Sequence, residues 1–226
     1  IPSNVKIDGL ADEWNNHFAA YNHATDLAYT VANNDTALYF IIQASDMQTI
    51  YKILNSGMLL TINANSKNKT KGAMQIAYPL FSRKNYPMIE LRDNPQLSKK
   101  MATNTAKVDS FRNAINQELA KRDREIKVQG LQSVPDQIMS VFNNYSIKVS
   151  ESFDSMFNYN IEFQIPLSHF NMSIKRTASF SYNITVIGAN SSLPINTRVT
   201  TMLIKPEHMS ALYNTDFWGE YKLATQ

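Results

Sequence analysis

The chain has 226 residues, 43% hydrophobic and 18% charged, with eleven Tyr, eleven Phe and a formal charge of only +3. That size suits one large domain with a single core, and the scattered Lys and Arg form no basic stripe for nucleic acid. The absence of Cys excludes disulfides, thiolate catalysis, Cys-bound zinc and iron–sulfur clusters, and no apolar run reaches the length of a membrane span.

Val5 to Ile7 reads as a short strand closed by the turn pair Asp8-Gly9. Leu27 to Val31 and Ala37 to Ala44 are β-rich runs flanking the polar turn 33–36, the pattern of a hairpin. Met47, Ile50, Ile53 and Leu54 recur at helical spacing, with Asp46 placed to cap the helix. Met58 to Ile62 and Ala73 to Tyr78 read as strands that pair across the polar stretch Asn63 to Lys71. Near Asn94 the pattern changes. Val108, Phe111, Ile115 and Leu119 lie three or four residues apart, which predicts an amphipathic helix over Asn104 to Lys121. With its flanks it forms an insertion at about residues 95–124, too short to carry a core of its own. Strand character returns at Glu125 to Leu131 and Tyr145 to Ser150. Phe157 to Ile165 alternates apolar and polar residues and ends at Pro166-Leu167. Ala178 to Ile187 sets Phe180, Tyr182, Ile184 and Val186 on one face, and Val199 to Ile204 and Phe217 to Leu223 read as closing strands. About ten short strands with one inserted helix predict a mainly β chain, an antiparallel β-sandwich forming one domain over residues 1–226.

Candidate chemistry is sparse. Asp8, Asp12 and Glu13 gather hard oxygen ligands beside a glycine turn, as calcium requires; the competing reading is a turn aspartate capping backbone amides, with Glu13 in solvent. His17, His23, His169 and His208 have no metal-pair spacing. His, Met or Tyr can hold haem iron, but Met47, Met58, Met74 and Met139 sit at apolar positions that suit core filling. No Gly-x-Ser-x-Gly elbow is present. Glu162 and Asp154 are candidates for glycoside hydrolysis only by being acidic, and Glu162 alternates away from Ile161 and Phe163, which predicts surface placement. Tyr78, Tyr86, Tyr145 and Tyr159 lie in or beside strands with Asn or Gln nearby, and Trp218 lies in the last strand. Aromatic faces stack on sugar rings while amides bond the hydroxyls; ordinary sheet packing is the alternative for each ring.

Three segments resemble one family. Val5-Lys6-Ile7-Asp8-Gly9-Leu10-Ala11-Asp12-Glu13-Trp14 is similar to the opening I-D-G-x-x-D-E-W of carbohydrate-binding module family 9 and its DOMON-like relatives. Asn33-Asn34-Asp35-Thr36-Ala37-Leu38-Tyr39-Phe40, followed by Asp46, resembles that family's N-D-x-x-L-Y hairpin. Tyr159-Asn160-Ile161-Glu162-Phe163-Gln164-Ile165-Pro166-Leu167 resembles its Y-x-x-E-x-x-I-P-L strand. The resemblance implies an immunoglobulin-like or jelly-roll-like sandwich, exported to the periplasm or cell surface, with a signal or lipid anchor removed before Ile1. It also implies a non-catalytic domain that binds a polysaccharide or oligosaccharide, with structural calcium in some relatives. The alternatives are a haem- or small-ligand-binding DOMON-like domain, or an interaction module whose partner is a protein. Trp14 falls where the family uses a packing tryptophan, and neither Trp14 nor Trp218 matches a sugar-clamping position.

Overall fold

The computed structural model describes residues 5–64, 72–80, 105–131, 133–135, 137–170, 179–191 and 211–224. They form a β-sandwich of two antiparallel sheets. The first has five strands in the order β1-β2-β3-β9-β8, made of β1 (Ala20–Asn22), β2 (Leu27–Asn33), β3 (Ala37–Ala44), β8 (Lys148–Phe153) and β9 (Tyr159–Pro166). The second has six in the order β11-β10-β4-β5-β6-β7, made of β4 (Met58–Asn63), β5 (Met74–Tyr78), β6 (Glu125–Gln129), β7 (Gln137–Ser140), β10 (Ser179–Val186) and β11 (Thr215–Lys222). The expected pairing of Met58–Ile62 with the strand ending at Tyr78 is present, with Met58 opposite Tyr78 and Leu60 opposite Ile76.

Strand alternation fills the core. Tyr159, Ile161, Phe163 and Ile165 of β9 are buried against Phe180, Tyr182, Ile184 and Val186 of β10, in one cluster that spans both sheets. Each such side chain is worth about 1.5–3 kcal/mol of burial, so two strands of this pattern suffice to orient both sheets. Helix α1 (Met47–Ser56) carries the chain from one sheet to the other between β3 and β4. Asp46 caps it by accepting the Thr49 amide at 2.9 Å, as its sequence position predicts. Helix α2 (Thr105–Arg122) matches the helix expected over Asn104 to Lys121 and buries Ile115 and Leu119, with Val108 and Phe111 packed at the margin; residues 95–104 of the expected insertion lie outside the described residues.

Two amides join these layers. The Asn116 side chain on α2 donates to the Phe153 carbonyl at 2.9 Å and accepts the Phe153 amide at 2.8 Å, so it stands in for a missing neighbour strand at the edge of β8. Asn33, at the end of β2, accepts from Tyr221 Oη at 3.0 Å and from the Ala224 amide at 2.8 Å, and donates to the Ala224 carbonyl at 3.1 Å. It thereby ties the far edge of the second sheet to the first.

Four boundaries differ from the sequence pattern. Val5 to Ile7 is not a strand: it lies over the outer face of the first sheet, where Val5 and Ile7 pack on a cluster that includes Trp14, Tyr39 and Ile41. β1 is only three residues long, below the length at which alternation is visible. β7 is polar apart from Ile138 and Met139, and Ile138 is exposed on a sheet edge. β8 begins at Lys148, not Tyr145, because Asn143 accepts the Tyr145 amide at 3.0 Å and donates to the Ile147 carbonyl at 2.7 Å, holding a turn there. The expected strand Val199–Ile204 lies outside the described residues.

Candidate functional site

The three segments that carry the family resemblance meet one another. Glu162 on β9 does point away from Ile161 and Phe163, but the face it reaches is covered: the side chain is 1% exposed, which corrects the surface placement expected from alternation. Its Oε2 accepts the amides of Asp8 at 3.1 Å and Gly9 at 3.0 Å, and its Oε1 accepts the Trp14 indole N–H at 3.0 Å. Burial pushes its carboxyl up to about 7, with the three donors pulling the other way. Gly9 sits at φ +83°, and a Cβ there would fall 2.3 Å from the Glu151 backbone carbon, so the turn lies flat on β8. Tyr39 and Ile41 of the hairpin join Trp14 in the cluster that this segment covers. The motif residues form a clasp that holds the opening segment on the sheet.

The clasp accounts for the acidic group at 8–13. Asp8 accepts the Leu10 amide at 3.0 Å, the turn role weighed against calcium, and Glu13 accepts the Lys6 amide at 3.4 Å. Asp12 is exposed in the first turn of the short 3-10 helix Asp12–Trp14. Among the described residues no three His, Asp or Glu side chains converge as a metal site.

The tyrosine candidates divide. Tyr78 and Tyr159 are core residues, 2% and 1% exposed, with no ring face open to a sugar. Tyr159 donates its hydroxyl to Glu151, and Tyr78 lies near the Asp123 carbonyl at 3.5 Å. Both were read from polar neighbours in sequence, but strand parity turns each ring between the sheets. Tyr145 is half-buried against the core margin. Trp218 is half-buried on β11, on the face opposite Phe217 and Tyr221, beside Asn183 of β10. Tyr86 lies outside the described residues. His169 has both ring nitrogens engaged, with Ser133 Oγ and the Tyr145 carbonyl.

The structure gathers a different set of residues. A cleft of about 560 Å³ opens between the opening turn, the end of β3, α2 and the β8–β9 hairpin, within the range of small-ligand sites. Gln43, Asn113, Asn116 and Asn158 bring side-chain amides to its wall, with Asp12 and Asp154 beside them. Met156, 65% exposed, supplies an apolar surface at its rim. The hairpin is built by Asp154, whose Oδ1 accepts the amides of Met156 at 2.8 Å and Asn158 at 2.9 Å. Its Oδ2 accepts the Asn158 side-chain amide at 3.0 Å and that of Gln43 at 3.4 Å. Gln43 also donates to Asn160 Oδ1 at 2.9 Å. Below it Asn160 is fully buried, and its Nδ2 has no hydrogen-bond partner among the described residues.

This arrangement presents planar donors and acceptors on fixed backbone, next to an apolar strip. It does not present an acid–base pair: Asp154 is saturated by hairpin donors, and Glu162 is locked under the clasp. Of the cleft residues the sequence reading named only Asp12 and Asp154. Arg112, Asn113 and Asn116 follow one flank of α2, and helical spacing that was used only for the apolar stripe also places them together. No protein-family model matches the chain, and no curated protein or solved structure matches it.

Proposed function

We propose that this β-sandwich is a carbohydrate-binding domain whose cleft between α2 and the β8–β9 hairpin holds an oligosaccharide without turning it over, acting at the periplasmic or cell-surface location that the family resemblance implies. The observation that carries the reading is the wall of side-chain amides around an exposed apolar rim. Sugars offer hydroxyls that both donate and accept, which amides match, and apolar C–H faces, which a residue such as Met156 covers. The hydrogen-bonded Asp154 hairpin holds that rim in place before ligand arrives, which lowers the ordering cost of binding.

A glycan array probed with the purified chain, with calcium and again with a chelator, tests the proposal. The expected result is binding to a defined glycan class that survives the chelator and weakens on Asn113→Ala or Met156→Ala. Silence across the array, or binding indifferent to both substitutions, overturns it. Binding lost with the chelator overturns the cation-free cleft in favour of a calcium-linked site.

A further inference from the structure

A second cleft, of about 450 Å³, lies at the opposite end of β9 from the amide cleft and holds both Ser133 and His169 in its wall. Ser133 Oγ lies 2.9 Å from His169 Nδ1, and His169 Nε2 lies 2.8 Å from the Tyr145 carbonyl oxygen. A carbonyl oxygen only accepts, so Nε2 carries the ring proton. In the neutral ring Nδ1 then keeps its lone pair and accepts a hydrogen bond from the Ser133 hydroxyl. We propose that Ser133 and His169 are a nucleophile–base pair that takes the acyl group of a small ester, a site independent of the carbohydrate reading.

Rigid elements hold each member. Ser133 is exposed in the turn after β6, where the Val134 amide donates to the Leu131 carbonyl at 3.4 Å. Gly130 starts that turn at φ +79°, with the Ala73 carbonyl oxygen only 2.2 Å from where a Cβ would stand. His169 belongs to the 3-10 turn Leu167–Phe170, whose two end residues are buried and whose first amide donates to the Thr36 carbonyl at 2.8 Å. The arrangement of nucleophile, base and orienting group is the one that activates a serine. Ile62, Met74, Leu131 and Phe170 line the same cleft and give it an apolar wall, which suits a short acyl chain.

In the reaction Ser133 Oγ attacks the ester carbonyl and its proton passes to Nδ1. The bond to the alcohol breaks, and His169 returns the proton to the departing oxygen. Water then attacks the acyl-serine with His169 taking its proton, the acyl–Oγ bond breaks, and His169 passes that proton to Ser133 Oγ, which releases the carboxylic acid and restores both residues. Ester and water give acid and alcohol, with no other reactant.

The test treats the whole chain with a fluorophosphonate probe, maps the adduct by mass spectrometry, and follows hydrolysis of p-nitrophenyl acetate. One adduct on Ser133 is expected. It is absent in Ser133→Ala, whose melting temperature stays unchanged because the hydroxyl is exposed, and it forms on the order of 100-fold more slowly in His169→Gln. The labelling rate falls on acidification, as protonation of the imidazole removes the base. No adduct at Ser133, or labelling of His169→Gln at the wild-type rate, overturns the proposal and leaves the pair as a tie between two turns. If His169→Gln does not fold, the wild-type pH profile decides: a labelling rate flat under acidification overturns it.

Discussion

The Trp14 indole N–H donates to the Glu162 carboxylate at 3.0 Å across 148 residues of sequence, so one buried acid fixes the opening segment to an inner strand of the first sheet. Removing the acceptor strands three donors at once, since the amides of Asp8 and Gly9 share it. Glu162→Ala is expected to cost about 3–5 kcal/mol, and Trp14→Phe, which removes one donor and keeps a ring, about 1–2 kcal/mol. Glu162→Gln is intermediate, because it keeps an acceptor oxygen but aims an amide at a donor. Urea unfolding of the three variants checks the order.

The pH dependence of stability runs in an unusual direction. Burial pushes Asp123 up from 3.8 to about 7 and Glu162 up from 4.5 to about 7. Glu151 is raised well above 4.5 by burial and by the facing Asp123. Among the described residues Asp123 Oδ1 and Oδ2 and Glu151 Oε1 have no hydrogen-bond partner, and the two carboxyls face each other, so they satisfy one another only when the pair holds a proton. For Asp123 and Glu162, raised in the folded state, this stabilising contribution is complete below about pH 4 and is lost as pH rises to about 7, on the order of 3 kcal/mol for each, and Glu151 acts in the same direction. The urea midpoint should therefore be higher at pH 5 than at pH 8. Glu151→Gln should flatten the profile, and a midpoint that climbs with pH would contradict this account.

Gly9→Ala tests how closely the clasp lies on the strand beneath it. The substitution meets both a left-handed backbone and the Glu151 backbone 2.3 Å away, and a loss of about 2–4 kcal/mol is expected. Limited proteolysis should then cut within residues 5–18 at protease levels that leave the parent chain intact.

Asn116 separates edge protection from ligand contact. Asn116→Ala loses both hydrogen bonds to Phe153 and should cost about 2 kcal/mol. Asn116→Asp keeps the acceptor for the Phe153 amide but opposes a carboxylate to the Phe153 carbonyl, and should be at least as destabilising. Asn113→Ala, one helical turn earlier and exposed, should weaken glycan binding with no change in unfolding midpoint.

The fold was legible because apolar spacing is a local signal. Val108, Phe111, Ile115 and Leu119 gave the inserted helix within a residue at each end, and Phe180, Tyr182, Ile184 and Val186 gave the inward face of β10. The fate of Glu162 was not legible, since alternation shows only that it leaves the core face and a second layer made from residues 5–18 decides whether that face is wet. Tyr78 and Tyr159 failed for the same reason in reverse: polar neighbours in sequence are the other face of a strand. The amide cleft joins residues from four separate stretches, Asp12, Gln43, Asn113 and Asn158, and no spacing rule connects them. Ser133 and His169 lie 36 residues apart with only a backbone carbonyl as their third member, which leaves no side-chain motif to read.

β9 is also a ruler. Its inward residues are held by the core and Glu162 by the clasp, so a slip of one residue would turn Glu162 into the core, away from its three donors, and move Phe163 out of it. The strand cannot slide, and its eight residues keep its ends roughly 25 Å apart. A molecule seated at the Asp154 hairpin and shorter than that span never reaches Ser133. Occupancy of one end and chemistry at the other should therefore combine as independent events, with rates that multiply and free energies that add.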